Sequence, residues 1–136
     1  MKIVEATVRR YAEPEGGDFE ILVVELRTDT ELTGRGYQML FGVPGEFAAG
    51  LIETRLAPEV LGLDPWLTGL AWQRMTEAMP RRGSDGMVRG SIAALDMALW
   101  DLTAKRAGLP LYRLLGLPRR CVWMRTAAGR PRMPDT

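Results

Sequence analysis

Residues 2–12 alternate: Val4, Ala6 and Val8 fall on one side, and Glu5, Thr7 and Arg9 on the other. A period of two predicts a half-buried strand. Glu13-Pro14-Glu15-Gly16-Gly17-Asp18 stops it with proline and paired glycines. A second strand is predicted over Phe19 to Thr28, with Leu22, Val24 and Leu26 inward and Glu20 outward; Ile21 and Val23 make its other side partly apolar as well. Asp29-Thr30-Glu31 turns into a third strand, Leu32 to Leu40. Connections this short favour antiparallel neighbours, hence a three-stranded meander.

The period then lengthens. Phe47, Leu51, Ile52 and Leu56 are spaced as one helix face, starting at Pro44-Gly45-Glu46 and ended by Pro58. Asp64-Pro65 predicts a second helix, with aspartate as N-cap and proline at the first position; its apolar positions are Leu67, Leu70, Ala71, Met75 and Met79. After a polar loop over 80–86, Ser84 or Asp85 is the expected cap of a long helix that ends near Gly108-Leu109-Pro110. On this helix Val88, Ile92, Leu95, Leu99 and Leu102 form one apolar stripe. Ala93, Met97, Trp100 and Ala104 form a second on roughly the opposite side. Asp101 and Lys105, an i,i+4 pair, make the solvated strip. Two stripes predict a helix held between two bodies. The fold class is therefore α+β: a three-stranded antiparallel meander followed by a helical bundle.

The 136 residues are enough for one domain with its own core. Eighteen basic and seventeen acidic side chains leave a net charge of +1, which points away from nucleic acid and anionic membranes as partners. The arginine clusters Arg81-Arg82, Arg119-Arg120 and Arg130 to Arg132 are read as solvated loop residues or salt-bridge donors. There is no histidine, so a histidine acid/base pair, a histidine-containing zinc site and a Ser-His-Asp triad are excluded within this chain. The lone Cys121 lies in an apolar run and is read as a buried thiol; a cytoplasmic location is expected. Met1-Lys2 leads directly into a strand, so no signal peptide is expected, and no apolar run approaches the length of a membrane span. Gly34-Arg35-Gly36 lacks the third glycine and the following helix of a phosphate loop.

Several features in order carry a resemblance. ALDMALWDLTAKRAGLPLYRLLG, from Ala94 to Gly116, resembles the signature helix in the amino-terminal domain of the mandelate racemase and muconate-lactonizing family of the enolase superfamily. The opening Lys2-Ile3-Val4 with two strand-like runs agrees with it. So do Gly34-Arg35-Gly36-Tyr37, similar to the family's Gly-x-Gly turn into a third strand, and Leu56-Ala57-Pro58 followed by Leu61-Gly62-Leu63-Asp64-Pro65. The resemblance covers about residues 1–120. It implies a capping domain over 1–118, with 119–136 the stump of a first barrel strand and a disordered tail. Around Met124-Arg125-Thr126 the chain departs from the family pattern.

The resemblance implies that metal ligands and acid/base groups lie on a (β/α) barrel, which takes on the order of 200 residues or more and is absent here. No catalytic and no metal-binding residue is therefore expected in this chain, and Mg²⁺ is implied only for a complete enzyme. The implied role is a lid that excludes water and sets specificity for an acid-sugar or other carboxylate substrate of a dehydratase or racemase. By position, Glu13, Phe19, Tyr37, Gln38 and Phe41 are the candidate substrate-facing side chains. Tyr37, where the family often has glutamate, is more similar to acid-sugar dehydratases than to lactonizing enzymes. Asp96, within the apolar surface of the long helix, is a candidate docking contact with Met97 and Trp100. Two expectations follow for partners: a barrel in cis or in trans, or a stand-alone domain that self-assembles, as a homo-oligomer, through the surface a barrel would cover.

Overall fold

A computed structural model of the chain describes residues 1–12, 18–79 and 86–116. Three antiparallel strands, β1 (Ile3–Ala12), β2 (Phe19–Thr28) and β3 (Thr33–Phe41), form one sheet in the order β1-β2-β3. The helices cover one side of it. Helix α1 (Gly45–Leu51) runs through a wide π turn (Ile52–Leu56) into α2 (Ala57–Val60). Helices α3 (Thr68–Glu77), α4 (Met87–Arg106) and α5 (Leu111–Leu114) follow.

Leu22, Val24 and Leu26 of the central strand are fully buried under the helices, as their alternation predicts. Two neighbouring assignments change. Ile3 lies opposite Thr28 and Glu5 opposite Arg27, so Val4 is an extra residue in a bulge. The bulge reverses the alternation: Ile3 is buried and Val4 is exposed, contrary to the pattern. Glu20 shares the side of Leu22, not the opposite one, and its Oε1 accepts the Gly45 N–H at 3.0 Å. A carboxylate is tolerated at that inner position because the start of α1 offers it a donor.

Gly34 and Gly36 are not a turn. They lie inside β3, opposite Leu26 and Val24. A methyl group on Gly34 would overlap the Ala98 carbonyl oxygen and Leu102, and one on Gly36 the Ala94 carbonyl oxygen. Two bare positions let α4 lie directly on the strand backbone. Its buried arc is therefore wider than the expected stripe: Ser91, Ala94, Ala98 and Thr103 are buried beside Ile92, Leu95, Leu99 and Leu102.

Pro58 does not end its helix. The π turn before it, in which the Ala57 N–H reaches back to the Ile52 carbonyl, leaves Pro58 in the first turn of α2, where its missing N–H is no loss. Asp64 does not cap a helix either. Its Oδ1 accepts the Trp66 N–H at 3.0 Å and the Arg106 guanidinium at 2.8 Å, and α3 begins four residues later at Thr68. These contacts hold the Asp64 carboxyl below its usual range, the backbone N–H of Trp66 contributing most. Helix α4 ends as expected. Gly108 takes a φ of 65°, its N–H bonds to the Lys105 carbonyl and the Leu109 N–H to the Ala104 carbonyl, a Schellman closure. Ser84, Asp85, Cys121, the paired arginines and residues 119–136 lie outside the described residues.

Candidate functional site

Two of the candidate lid residues meet at one end of the sheet. Phe19 and Phe41 face each other across β2 and β3, with ring centroids 5.1 Å apart and a 41° tilt. Tyr37 and Met39 stand on the same side of β3 as Phe41, away from the helices, each about half exposed. Beside them an open cleft separates the end of β3 from the first turn of α4. Its walls are mainly apolar: Met39, Phe41, Val43, Met87 and Ala93, with Tyr37 at the rim. Glu13 lies outside the described residues.

Gln38 points the other way. It is 7% exposed, its Nε2 donates to the Met87 carbonyl at 3.0 Å, and its Oε1 accepts the Ser91 hydroxyl at 2.9 Å. Its amide is engaged inside the domain, so it braces β3 against the start of α4 rather than offering a group to a substrate. An alternation count separates it from Tyr37 and Phe41, which is the signal that distinguishes them.

The docking candidates lie on the far side of α4 from the core. Asp96, Met97 and Trp100 are each only half-buried, whereas Ala104, expected on the same stripe, is covered within the domain at 3% exposure. Burial pushes the Asp96 carboxyl above its usual range; a hydrogen bond with Trp100 on the same helix pulls the other way. Asp101 and Lys105 are ion-paired at 2.8 Å as expected, but they do more than make a solvated strip. Asp101 Oδ2 also accepts the Arg35 N–H at 2.8 Å, and Lys105 Nζ donates to the Thr33 carbonyl at 2.6 Å. Two helix side chains thus satisfy backbone groups on the outer edge of β3, a role that i,i+4 spacing alone does not reveal.

Among the described residues no three His, Cys, Asp or Glu side chains converge as a metal site would need. No helix there is long and apolar enough to cross a membrane. The site offers aromatic and thioether surface at a sheet end, not a set of acid/base groups.

A meander with helices on one face, closed by a long helix laid over a glycine-bearing strand, is the architecture of enolase-superfamily amino-terminal domains. Solved structures agree. A racemase from Streptomyces coelicolor A3(2) with bound magnesium superposes with a TM-score of 0.77 at 28% identity, over 84% of this chain and 35% of that one. A member of the enolase superfamily from Salmonella Typhimurium gives 0.78 at 27% identity, over 88% and 30%. Residues 15–116 match the family model described as Mandelate racemase / muconate lactonizing enzyme, N-terminal domain, and the chain belongs to that family. A D-mannonate dehydratase from Novosphingobium aromaticivorans is 43% identical over 102 residues, 74% of this chain and 24% of the relative. A D-galactonate dehydratase family member from Marinomonas sp. is 38% identical over 97 residues, 71% and 23%. The chain thus spans about a quarter of the length of the curated relatives it matches.

Proposed function

We propose that this chain is the capping and substrate-specificity domain of a magnesium-dependent dehydratase or racemase acting on an acid sugar, and that it is not catalytic alone. The observation that carries the reading is the Phe19–Phe41 pair at one sheet end, with Tyr37 exposed on the same side of β3, in a domain whose relatives include sugar-acid dehydratases. Such an enzyme would need a base for the proton α to a carboxylate and Mg²⁺ to supply positive charge beside that carboxylate, both from outside this chain. The described residues do not fit that metal: no three carboxylate, thiol or imidazole side chains among them converge. The barrel that supplies ligands and base is proposed to act in cis or in trans, in the cytoplasm. This chain's own part is exclusion: apolar side chains over a barrel mouth keep water from the reacting carbon and admit substrates by shape.

The test is reconstitution with the barrel portion of a relative. The chain alone is expected to show neither Mg²⁺-dependent turnover nor specific Mg²⁺ binding by calorimetry. With a barrel supplied, Phe41→Ala and Tyr37→Phe are expected to change preference across a panel of sugar acids without lowering the melting temperature. Unchanged preference together with lost stability would return both residues to a structural role. Micromolar Mg²⁺ binding by the chain alone would place the metal site here and overturn the reading.

A further inference from the structure

At the open cleft, β3 and the first turn of α4 are tied by a closed ring of three polar groups. Gln38 Nε2 donates to the Met87 carbonyl at 3.0 Å, and the Ser91 hydroxyl donates to Gln38 Oε1 at 2.9 Å. The same hydroxyl lies 3.0 Å from the Met87 carbonyl. Gln38 is 7% exposed and Ser91 is fully buried, so water competes little for these groups. The helix surface is shaped to receive the amide: a methyl group on Gly90 would overlap Gln38 Nε2. Nothing else caps this turn, because Gly86 precedes it with no side-chain bond. Gln38, Met87 and Gly90 all border the cleft, and Met39 and Phe41 follow Gln38 on the strand.

We propose that Gln38 is a positioning residue for substrate choice: by tying β3 to the Met87 turn of α4 it fixes the width of the cleft between them, and through that width the bulk of the substrate end the cleft accepts. The proposal rests on the lid reading above and deepens it. The substrate class is a sugar acid held at its carboxylate by the barrel, which leaves the far end of its carbon chain for the cleft. Apolar walls discriminate by size, and a single methylene is worth only about 10–200-fold even in a well-fitted pocket. Met39 and Met87 are adaptable side chains that would follow a group of almost any size if the backbones behind them could move apart. A leucine at position 38 would fill the same space without fixing a distance. Hydrogen bonds hold only over a narrow range of length and direction, so a buried amide ring acts as a spacer.

Two variants break the tie from opposite sides. Gln38→Leu removes both amide bonds, while the Ser91 hydroxyl keeps the Met87 carbonyl as its acceptor. Gly90→Ala displaces the amide from the helix, and alanine favours the helix, so this variant is expected to stay folded. In the full chain, Gln38→Leu is expected to speed amide exchange several-fold at Gly90 and Ser91, with Leu95 to Leu102 unchanged relative to one another. Unchanged exchange at Gly90 and Ser91 overturns the proposal. With a relative's barrel supplied, both variants are expected to shift KM several-fold between short and long sugar acids, with kcat nearly constant. A purely structural role would lower kcat for every substrate alike, through the folded fraction, and leave each KM in place; that result also overturns the proposal. Phe41→Ala separates the two readings. If it moves the preference and the Gln38 and Gly90 variants do not, the tie is not a determinant and the lid reading stands. If none of the three moves it, the lid reading falls and the proposal falls with it.

Discussion

The two faces of the sheet use opposite means. On the inner face the strands contribute Leu22, Val24 and Leu26, all fully buried, and β3 contributes two glycines that bring the α4 backbone into contact. On the outer face the same strands carry Tyr11, Tyr37 and Met39, about half exposed, and a row of ion pairs. Stability is concentrated where apolar side chains are enclosed and backbones touch, and the outer side chains stand where less folding energy is at stake. The outer face is thus free to be chosen for what it meets, and the inner face only for how closely it fits.

The largest expected effect breaks the inner face. Gly36→Val adds a branched side chain where even a methyl overlaps the Ala94 carbonyl oxygen and crowds the Ala98 nitrogen and Met97 Cβ. Two of those neighbours are helix backbone and cannot turn aside. Strand propensity favours valine by at most about 1 kcal/mol, whereas overpacking costs about 1–3 kcal/mol or more. A loss of about 3 kcal/mol in urea unfolding is expected. Met39→Ala on the outer face is expected to change stability by less than about 0.5 kcal/mol. Equal losses from the two would mean that the faces are not distinct.

Much of this contrast was legible in the sequence. The boundaries of β2, the burial of Leu22, Val24 and Leu26 and the long helix follow from period and composition alone. What was not legible depends on tertiary contact. A bulge at Val4 reverses a face without leaving a mark in the hydropathy pattern. Gly34 and Gly36 are bare because a helix sixty residues later lies on them, which neither the strand pattern nor the resemblance to a Gly-x-Gly turn reveals. Pro58 looked like a stop because a π turn has no propensity signature. At the candidate site the aromatic residues could be picked by position, but the orientation of Gln38 depends on Ser91 and Met87, which only the packed helix supplies.

A smaller effect sharpens the boundary between the faces, the outer edge of β3. Asp101→Ala removes the acceptor of the Arg35 N–H and the partner of Lys105. Water can replace the carboxylate at so exposed an edge, so the expected loss is about 1 kcal/mol. The measurement that identifies its cause is amide hydrogen exchange, which is expected to speed up at Arg35 while the amides of β2 keep their relative protection. A uniform change would show that Asp101 acts on the whole domain and not on the edge.

The smallest effect concerns the outward side of α4, where Asp96 is neither core nor free surface. Burial raises its carboxyl above the usual range, against the hydrogen bond with Trp100. The folded domain therefore holds the Asp96 proton more tightly than the unfolded chain does. Stability from this group is greatest below the unfolded value, declines as pH rises through the interval up to the raised folded value, and stays at the lower level above it. Asp96→Asn keeps the shape, cannot ionise and can still accept from the Trp100 indole. It is expected to be slightly more stable than the unmodified chain at neutral pH, by less than about 0.5 kcal/mol, and the difference is expected to vanish on acidification through the carboxylate range. Paired urea titrations at several pH values measure it, because other carboxyls contribute equally to both proteins. An unmodified chain that is the more stable at neutral pH would mean that the charged hydrogen bond to Trp100 outweighs burial. The outward side of α4 would then be polar in its energetics as well as in one of its residues, and a poor dock for an apolar partner.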